Sequence, residues 1–277
     1  MSTLPHAYRA LDPKPFTGTP MRGGSTVALC GPWASTCQRN PAKTGACEVD
    51  WIAGTVTQLD RPTSDEQLVE AVLSVDMAAI DVPLGWPDAF IDAVVAHRDR
   101  RGWPPIAAEP PEDRLPLRYR TTDLLTRSSG AQPLSVSSDL IGVAAMRGAR
   151  IQHLLEKAGV AVDRSGTSGR LVEVYPAAAL RRWGLSSTKY KGSANADACR
   201  TLASELAAGC GPLSAAAATC LDGCDDDGLD AFVCANVAKA SLGGQTTRPG
   251  PEHVEIARHE GWIHVPTVDL ATIIGAA

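Results

Sequence analysis

The sequence predicts a mixed α/β fold, one sheet with helices packed on both faces. Three observations carry that prediction. Three short β-type runs, 25–31, 46–54 and 55–60, follow one another as a meander would. Two later runs, 77–84 and 170–176, are apolar on consecutive residues, as strands buried on both faces are. Helical patterns separate those two runs, which is the order of βαβ crossovers. A length of 277 residues suits one α/β domain with insertions. Hydrophobic residues make up 44% and aromatics only 5%, so small side chains must do much of the packing.

Residues 1–24 hold Pro5, Pro13, Pro15, Pro20 and the Gly23-Gly24 pair, and read as an N-terminal extension. Residues 25–277 read as a single domain. STVALCG at 25–31 is the first strand, ACEVDWIAG at 46–54 the second and TVTQLD at 55–60 the third. Thr63 and Ser64 ahead of Asp65 and Glu66 mark a helix start, and Leu68, Val69, Val72 and Leu73 recur at helical spacing. MAAIDVPL then forms a strand that stops at Pro83-Leu84-Gly85. Residues 88–98 follow as a helix with Phe90, Ile91, Val94 and Val95 on one stripe. Residues 101–118 carry too many prolines for a regular element and read as an insertion. A helix over 139–158 presents Ile141, Ala145, Ile151 and Leu155, with Asp139 as its expected cap. RLVEVYP at 170–176 is the second buried strand, and short helices follow at 177–183 and 195–208. DGLDAFVCANVAKASLG at 227–243 is the strongest helical pattern, and EGWIHVP at 260–266 closes the fold as a short strand or strap.

The net charge is −5 and the isoelectric point about 5.7, so any polyanion site must be a local patch. Charge is segregated along the chain: Arg147, Arg150, Lys157, Arg164, Arg170, Arg181, Arg182, Lys189 and Lys191 dominate 146–191, while 205–233 has acids and no Lys or Arg. No run of 18 apolar residues exists, so no membrane span is expected. The N-terminus has no apolar signal region, which places the protein in the cytoplasm and its eight cysteines as free thiols. The sequence contains no G-x-x-x-x-G-K-[ST], no G-x-G-x-x-G, no G-x-S-x-G and no H-E-x-x-H. GCDDDG at 223–228 fails as a calcium loop, because Gly223 and Cys234 stand at ligand positions.

What remains is a set of acids inside apolar elements. Asp81 and Glu173 sit in the two buried strands, and Asp227 and Asp230 share one helix face. Gathering such like charges raises each pKa, and a divalent cation relieves that cost. Carboxylates that hold two ions about 4 Å apart are a device for phosphoryl chemistry. Simpler uses stay open for each acid. Asp227 is also a plausible helix cap, Glu173 a partner for Arg170 or Arg181, and Asp81 an acceptor for the 83–85 turn.

Taken together, AIDVPLGWP, YRTTD at 119–123, LSVSSDLIG at 134–142, LVEVYPAAALRRWGL at 171–185, DGLDAFVCA at 227–235 and EGWIHVP resemble the DUF429 family. That family is described as predicted nucleases of RNase H-like fold. The resemblance implies a five-stranded mixed sheet, order 3-2-1-4-5, with metal-binding acids on central strands and on a C-terminal helix. Asp81, Glu173, Asp227 and Asp230 fall on matching motif positions, and the D-x-x-D-A helix also resembles the last acidic motif of RuvC-type resolvases. One position departs: the first strand carries Cys30 where an RNase H-like nuclease has an aspartate. A thiolate is a poor ligand for Mg²⁺. Asp50 on the neighbouring strand is the available substitute.

The reading that follows is a nuclease using Mg²⁺ or Mn²⁺ on DNA or RNA. Asp81, Glu173, Asp227 and Asp230 are its catalytic and metal ligands. Arg118, Arg120, Arg147, Arg150 and Lys189 are its candidate phosphate contacts, with Asp123 beside them. Arg118 and Arg120 stand equally well as partners of Asp123 or the 109–113 acids. Trp183 and Tyr190 are available to stack bases, with core packing the plainer use of Trp183. Two rivals remain: a non-catalytic binding protein that has lost the first-strand acid at Cys30, and an actin-like ATP-dependent phosphotransferase.

Overall fold

The computed structural model describes residues 25–30, 44–61, 64–103 and 114–275, with Leu29 and Cys30 described by their backbone. The 1–24 extension, Thr63 and residues 104–113 of the Pro-rich insertion lie outside the described residues. The strands are β1 (Ser25–Cys30), β2 (Gly45–Asp50), β3 (Thr55–Gln58), β4 (Met77–Ile80), β5 (Leu171–Val174) and β6 (Ile263–His264). The helices are α1 (Asp65–Leu73), α2 (Asp88–Arg98), α3 (Leu115–Arg118), α4 (Thr121–Ser128), α5 (Gly142–Lys157), α6 (Pro176–Arg182), α7 (Ala196–Gly209), α8 (Ser214–Leu221), α9 (Asp226–Leu242), α10 (Val254–Glu260) and α11 (Leu270–Gly275).

The sheet runs β3-β2-β1-β4-β5-β6. β1, β2 and β3 form the antiparallel meander, while β4 joins β1 in parallel, β5 joins β4 and β6 joins β5. The expected order of five strands is present, and the 260–266 strap supplies a sixth at the edge. Parallel pairing requires the crossovers to cover the faces. Accordingly β4 and β5 are buried at every residue.

Alternation sorts the strand residues between two cores. Ala28, Cys47, Val49, Ala79, Val172 and Val174 pack with α6, α7, α8 and α9. Val27, Ala78, Ile80 and Leu171 pack with Leu68, Val69 and Val72 of α1 and Ile151 and Leu155 of α5. Helix α9 is buried on nearly all sides, which makes it a core helix rather than an amphipathic one. Its small residues Ala231, Ala235 and Ala238 are fully enclosed and let it lie close to β1, β2 and β4. The Thr26 hydroxyl donates to the Ala235 carbonyl at 3.2 Å, and the Trp51 indole donates to Thr26 at 3.0 Å. No described helix is long and apolar enough to cross a membrane.

Local signals explain several boundaries. Ser64 caps α1 by accepting from the Gln67 amide at 3.3 Å. Asp139 does not cap α5 as expected; its carboxylate accepts from the Ser135 amide at 2.7 Å, and the helix begins later, at Gly142. Asp225, not Asp227, caps α9, accepting from the Gly228 amide at 3.1 Å.

The contact between β2 and α9 leaves no room for a methyl group. A Cβ built on Gly45 would stand 2.4 Å from the Asp227 carbonyl oxygen. We expect Gly45→Ala to lower stability by about 1–3 kcal/mol, the usual effect of overpacking a filled contact. Urea unfolding would show it as a fall in midpoint at unchanged slope.

Candidate functional site

The predicted acids do not form one cluster: Glu173 and the acids of α9 belong to opposite faces of the sheet. Glu173 is the cross-strand partner of Ile80, and so belongs to the α1/α5 face. Asp230 is on α9, which covers the Ala79 and Val172 face. Asp81 directly follows β4, and both Asp81 and Glu173 line a cavity of about 20 Å³, together with Arg120, Asp123 and Tyr175. That is room for about one water.

Arg120 defines the first group. It is one of the largest side chains fully enclosed by the fold. Its guanidinium donates to Glu173 Oε1 at 2.6 Å and Oε2 at 2.8 Å, and to Asp123 Oδ1 at 2.9 Å and Oδ2 at 3.1 Å. A fifth bond reaches the Glu260 carbonyl at 3.0 Å. Burial opposes the charge on Arg120, but the Asp123 and Glu173 carboxylates outweigh it and hold the guanidinium above its ordinary pKa. Burial raises the Glu173 carboxyl, against the pull of Arg120 and of the Leu84 amide, which donates to Oε2 at 2.9 Å. The bidentate geometry is that of a charged pair.

One sequence expectation changes here: the partner of Glu173 is Arg120 rather than Arg170 or Arg181. At the 83–85 turn the Leu84 amide donates to Glu173. Arg120 and Asp123 are structural, and Arg120 is enclosed too deeply to meet a phosphate.

The second group gathers around α9. Asp230 and Asp81 are each 2% exposed. Asp230 Oδ1 accepts from the Tyr190 hydroxyl at 2.7 Å, and Oδ2 lies 2.5 Å from the Lys191 ammonium. The next residue, Gly192, donates its amide to Asp226 at 3.1 Å. Three consecutive residues thus grip two acids one helical turn apart. Positive φ values at Lys189 (59°) and Gly192 (82°) shape that loop. Tyr175, whose hydroxyl donates to the Gln132 carbonyl at 3.2 Å, lies within electrostatic reach of Asp81, Asp230 and Lys191. Burial, then the Asp81 carboxylate, raise its phenol above the ordinary value, with Asp230 adding and Lys191 opposing. Burial and the neighbouring Asp226 and Asp225 push the Asp227 carboxyl up to about 7, against an ion pair with Arg61 at 3.5 Å.

The other basic candidates are placed elsewhere. Arg147 and Arg150 bind Asp65 at 2.8 and 3.0 Å, joining α5 to α1. Arg118 is exposed beside the Tyr119 ring and Ser138. Lys189 is exposed at the loop that grips α9. Tyr190 is enclosed and bonded to Asp230, so it does not stack bases, and Trp183 packs against the core. Sequence reasoning missed Lys191, Tyr175 and Arg61. The aromatic between two lysines in KYKG was the one visible signal for Lys191.

Sheet order, the acid at the end of β4 and the acidic helix laid across the sheet define an RNase H-like α/β protein. The family model for a protein of unknown function, DUF429, matches residues 41–254, and the chain belongs to that family. No curated protein matches the chain, and no solved structure does.

Two outcomes follow from these electrostatics. Arg120→Leu strands two buried carboxylates, so it should cost about 3–5 kcal/mol in denaturant unfolding at pH 7. Arg150→Ala, on a half-exposed pair, should cost about 0–1 kcal/mol. Asp227 titrates near 7 when folded and in the ordinary carboxylate range when unfolded. Between those values the folded chain holds a proton that the unfolded chain releases, so stability falls as pH rises. Asp227→Asn should flatten that fall when melting temperature is followed from pH 4 to 8.

Proposed function

We propose that this protein is a metal-dependent phosphodiesterase acting on nucleic acid, with Asp81 and Asp230 holding Mg²⁺ or Mn²⁺. The observation that carries the reading is the burial of both carboxylates with Tyr175 in electrostatic reach of each, and a third acid near Asp230, Asp227, whose carboxyl burial and neighbouring acids raise to about 7. Burial on this scale disfavours like charges unless a cation joins them.

Two carboxylates suit Mg²⁺, which takes one or two from the protein and fills its shell with water and substrate oxygens. They do not suit a four-carboxylate cage. Glu173 is committed to Arg120, and among the described residues no three His, Cys, Asp or Glu side chains are grouped to hold one ion. A bound divalent ion supplies Lewis-acid polarisation of the phosphoryl group and a more acidic water. The chain's own residues do the rest. Tyr190 fixes the orientation of Asp230. Lys191, with its side chain 36% exposed, reaches both Asp230 and solvent, so its ammonium can transfer from the carboxylate to an incoming phosphate. Exposed Lys189 and Arg118 extend the cationic approach for a nucleic-acid backbone.

A second reading, a non-catalytic binding protein, is favoured by one observation. The β1–β4 register places Leu29 opposite Ile80, so the backbone of Cys30 runs beside Asp81, where an RNase H-like nuclease has its first aspartate.

Single-stranded and structured DNA and RNA, incubated with Mn²⁺ and with chelator, decide between the two. We expect cleavage that chelator stops and that Asp81→Asn and Asp230→Asn each lower by at least about 100-fold. Nucleic-acid binding without cleavage, together with a Mn²⁺-induced rise in melting temperature, would establish the second reading. Cleavage unchanged in both variants would remove the first.

A further inference from the structure

Two arginines stand together where α3 meets α4. Tyr119 and Arg120 have extended backbones, which turn neighbouring side chains to opposite sides. Arg120 enters the fold to meet Glu173 and Asp123, and Tyr119 faces the other way. Two guanidiniums flank the Tyr119 ring: Arg118 has its central carbon 5.1 Å from the ring centre, and Arg127 of α4 has its own at 4.5 Å. The tyrosine is buried, while Arg118 is exposed and Arg127 half-buried. Among the described residues, the partners of these guanidiniums are the Tyr119 ring and hydroxyl and the Ser138 hydroxyl, and no carboxylate is paired with either. Asp123, one turn before Arg127, spends both its oxygens on Arg120.

The pair is braced by the loop before α5. The Ser135 hydroxyl donates to the Arg118 carbonyl at 2.5 Å, and the Ser137 hydroxyl donates to the Leu117 carbonyl at 2.6 Å. Arg118 donates from Nε to the Ser138 hydroxyl at 3.3 Å and from Nη2 to the Tyr119 hydroxyl at 3.3 Å. Asp139, which follows Ser138, turns its carboxylate to the Ser135 amide at 2.7 Å. The same loop lends Pro133, Leu134 and Ile141 to the cavity that Asp81 and Tyr175 line. One loop thus supports the two arginines and walls the cavity beside Asp81.

A neutral ring attracts each cation, but it does not remove the repulsion between them. An anion does. The guanidinium fork matches phosphate oxygens, and a surface lined by one sign of charge gathers the opposite sign. Arg118 is open to solvent, which suits a chain of phosphates passing across the pair better than a small enclosed ion. We propose that Arg118 and Arg127, mounted on Tyr119, bind successive phosphates of one nucleic-acid strand beside the Asp81 cavity. That the polyanion is nucleic acid rests on the function proposed above. The contact itself is electrostatic, takes no account of base sequence and needs no metal.

Fluorescence anisotropy of labelled single-stranded DNA and RNA on the full-length protein, in chelator and over a range of salt, tests this. Each phosphate contact on a single strand contributes about 0.7 to the slope of log affinity against log salt. The double variant Arg118→Ala, Arg127→Ala should therefore lower that slope by about 1.4 and weaken binding alike on every sequence. Arg118→Ala alone, at an exposed position, should lower it by about 0.7, so the test stands even if the double variant folds poorly. Arg118→Lys with Arg127→Lys keeps both charges and should restore the slope. Arg150→Ala, whose partners are Asp65 and Glu66, should match the wild type. Three results would overturn the proposal: a wild-type slope in the alanine variants, no binding by the wild type, or equal binding of a labelled poly-glutamate peptide. Chelator stops metal-dependent hydrolysis, so the two readings fail separately. A lowered slope without Mn²⁺-dependent cleavage keeps the phosphate contact and removes the nuclease, and cleavage with an unchanged slope does the reverse.

Discussion

The enclosed guanidinium of Arg120 is the interaction on which the site end of this fold depends. It joins Glu173 of β5, Asp123 of α4 and the carbonyl of Glu260 at the end of α10. Glu173 passes the restraint to the turn after β4 through the Leu84 amide. The Glu260 carboxylate extends it, accepting from the Asp88 amide at 2.9 Å and the Thr121 amide at 2.7 Å. Elements distant in sequence are thereby fixed around one charge. A buried ion pair adds little net stability compared with an apolar replacement, yet leaving half of it costs much. Its effect is to fix which segments meet.

That constraint also redistributes the acids. A carboxylate held bidentately by a guanidinium is neutralised and occupied, so Glu173 belongs to the architecture. The acids that the proposed function calls on are those with α9, where Asp230 takes its partners from the 190–192 loop and the Asp227 carboxyl is raised to about 7. The two faces of the sheet thus differ: one locks the strand ends, the other carries the buried carboxylates of α9.

The close approach of α9 is what permits the second group. A helix buried nearly all round, with alanines toward the sheet and a glycine in β2 beneath its first turn, brings Asp227 and Asp230 to the strand ends. Larger residues at those positions would lift the helix off the sheet. The same first turn receives the Gln58 amide of β3, which donates to the Gly228 carbonyl at 2.9 Å.

Periodicity and turn chemistry alone determined the α/β class, the meander, both buried strands and the core helix, because each signal is local. The motif set read as a DUF429 resemblance supplied the strand order and pointed to Asp81, Glu173, Asp227 and Asp230. The short helices α4, α8, α10 and α11 were not legible, since each is stabilised by what it packs against rather than by its own pattern. The partner of each charge was not legible either. Glu173 lies 53 residues from Arg120, and Asp230 lies 40 from Tyr190, so only the folded chain could decide those pairs. A one-residue step along a strand changes the face, and that geometry, set by tertiary register, put Glu173 on the opposite side from Asp230.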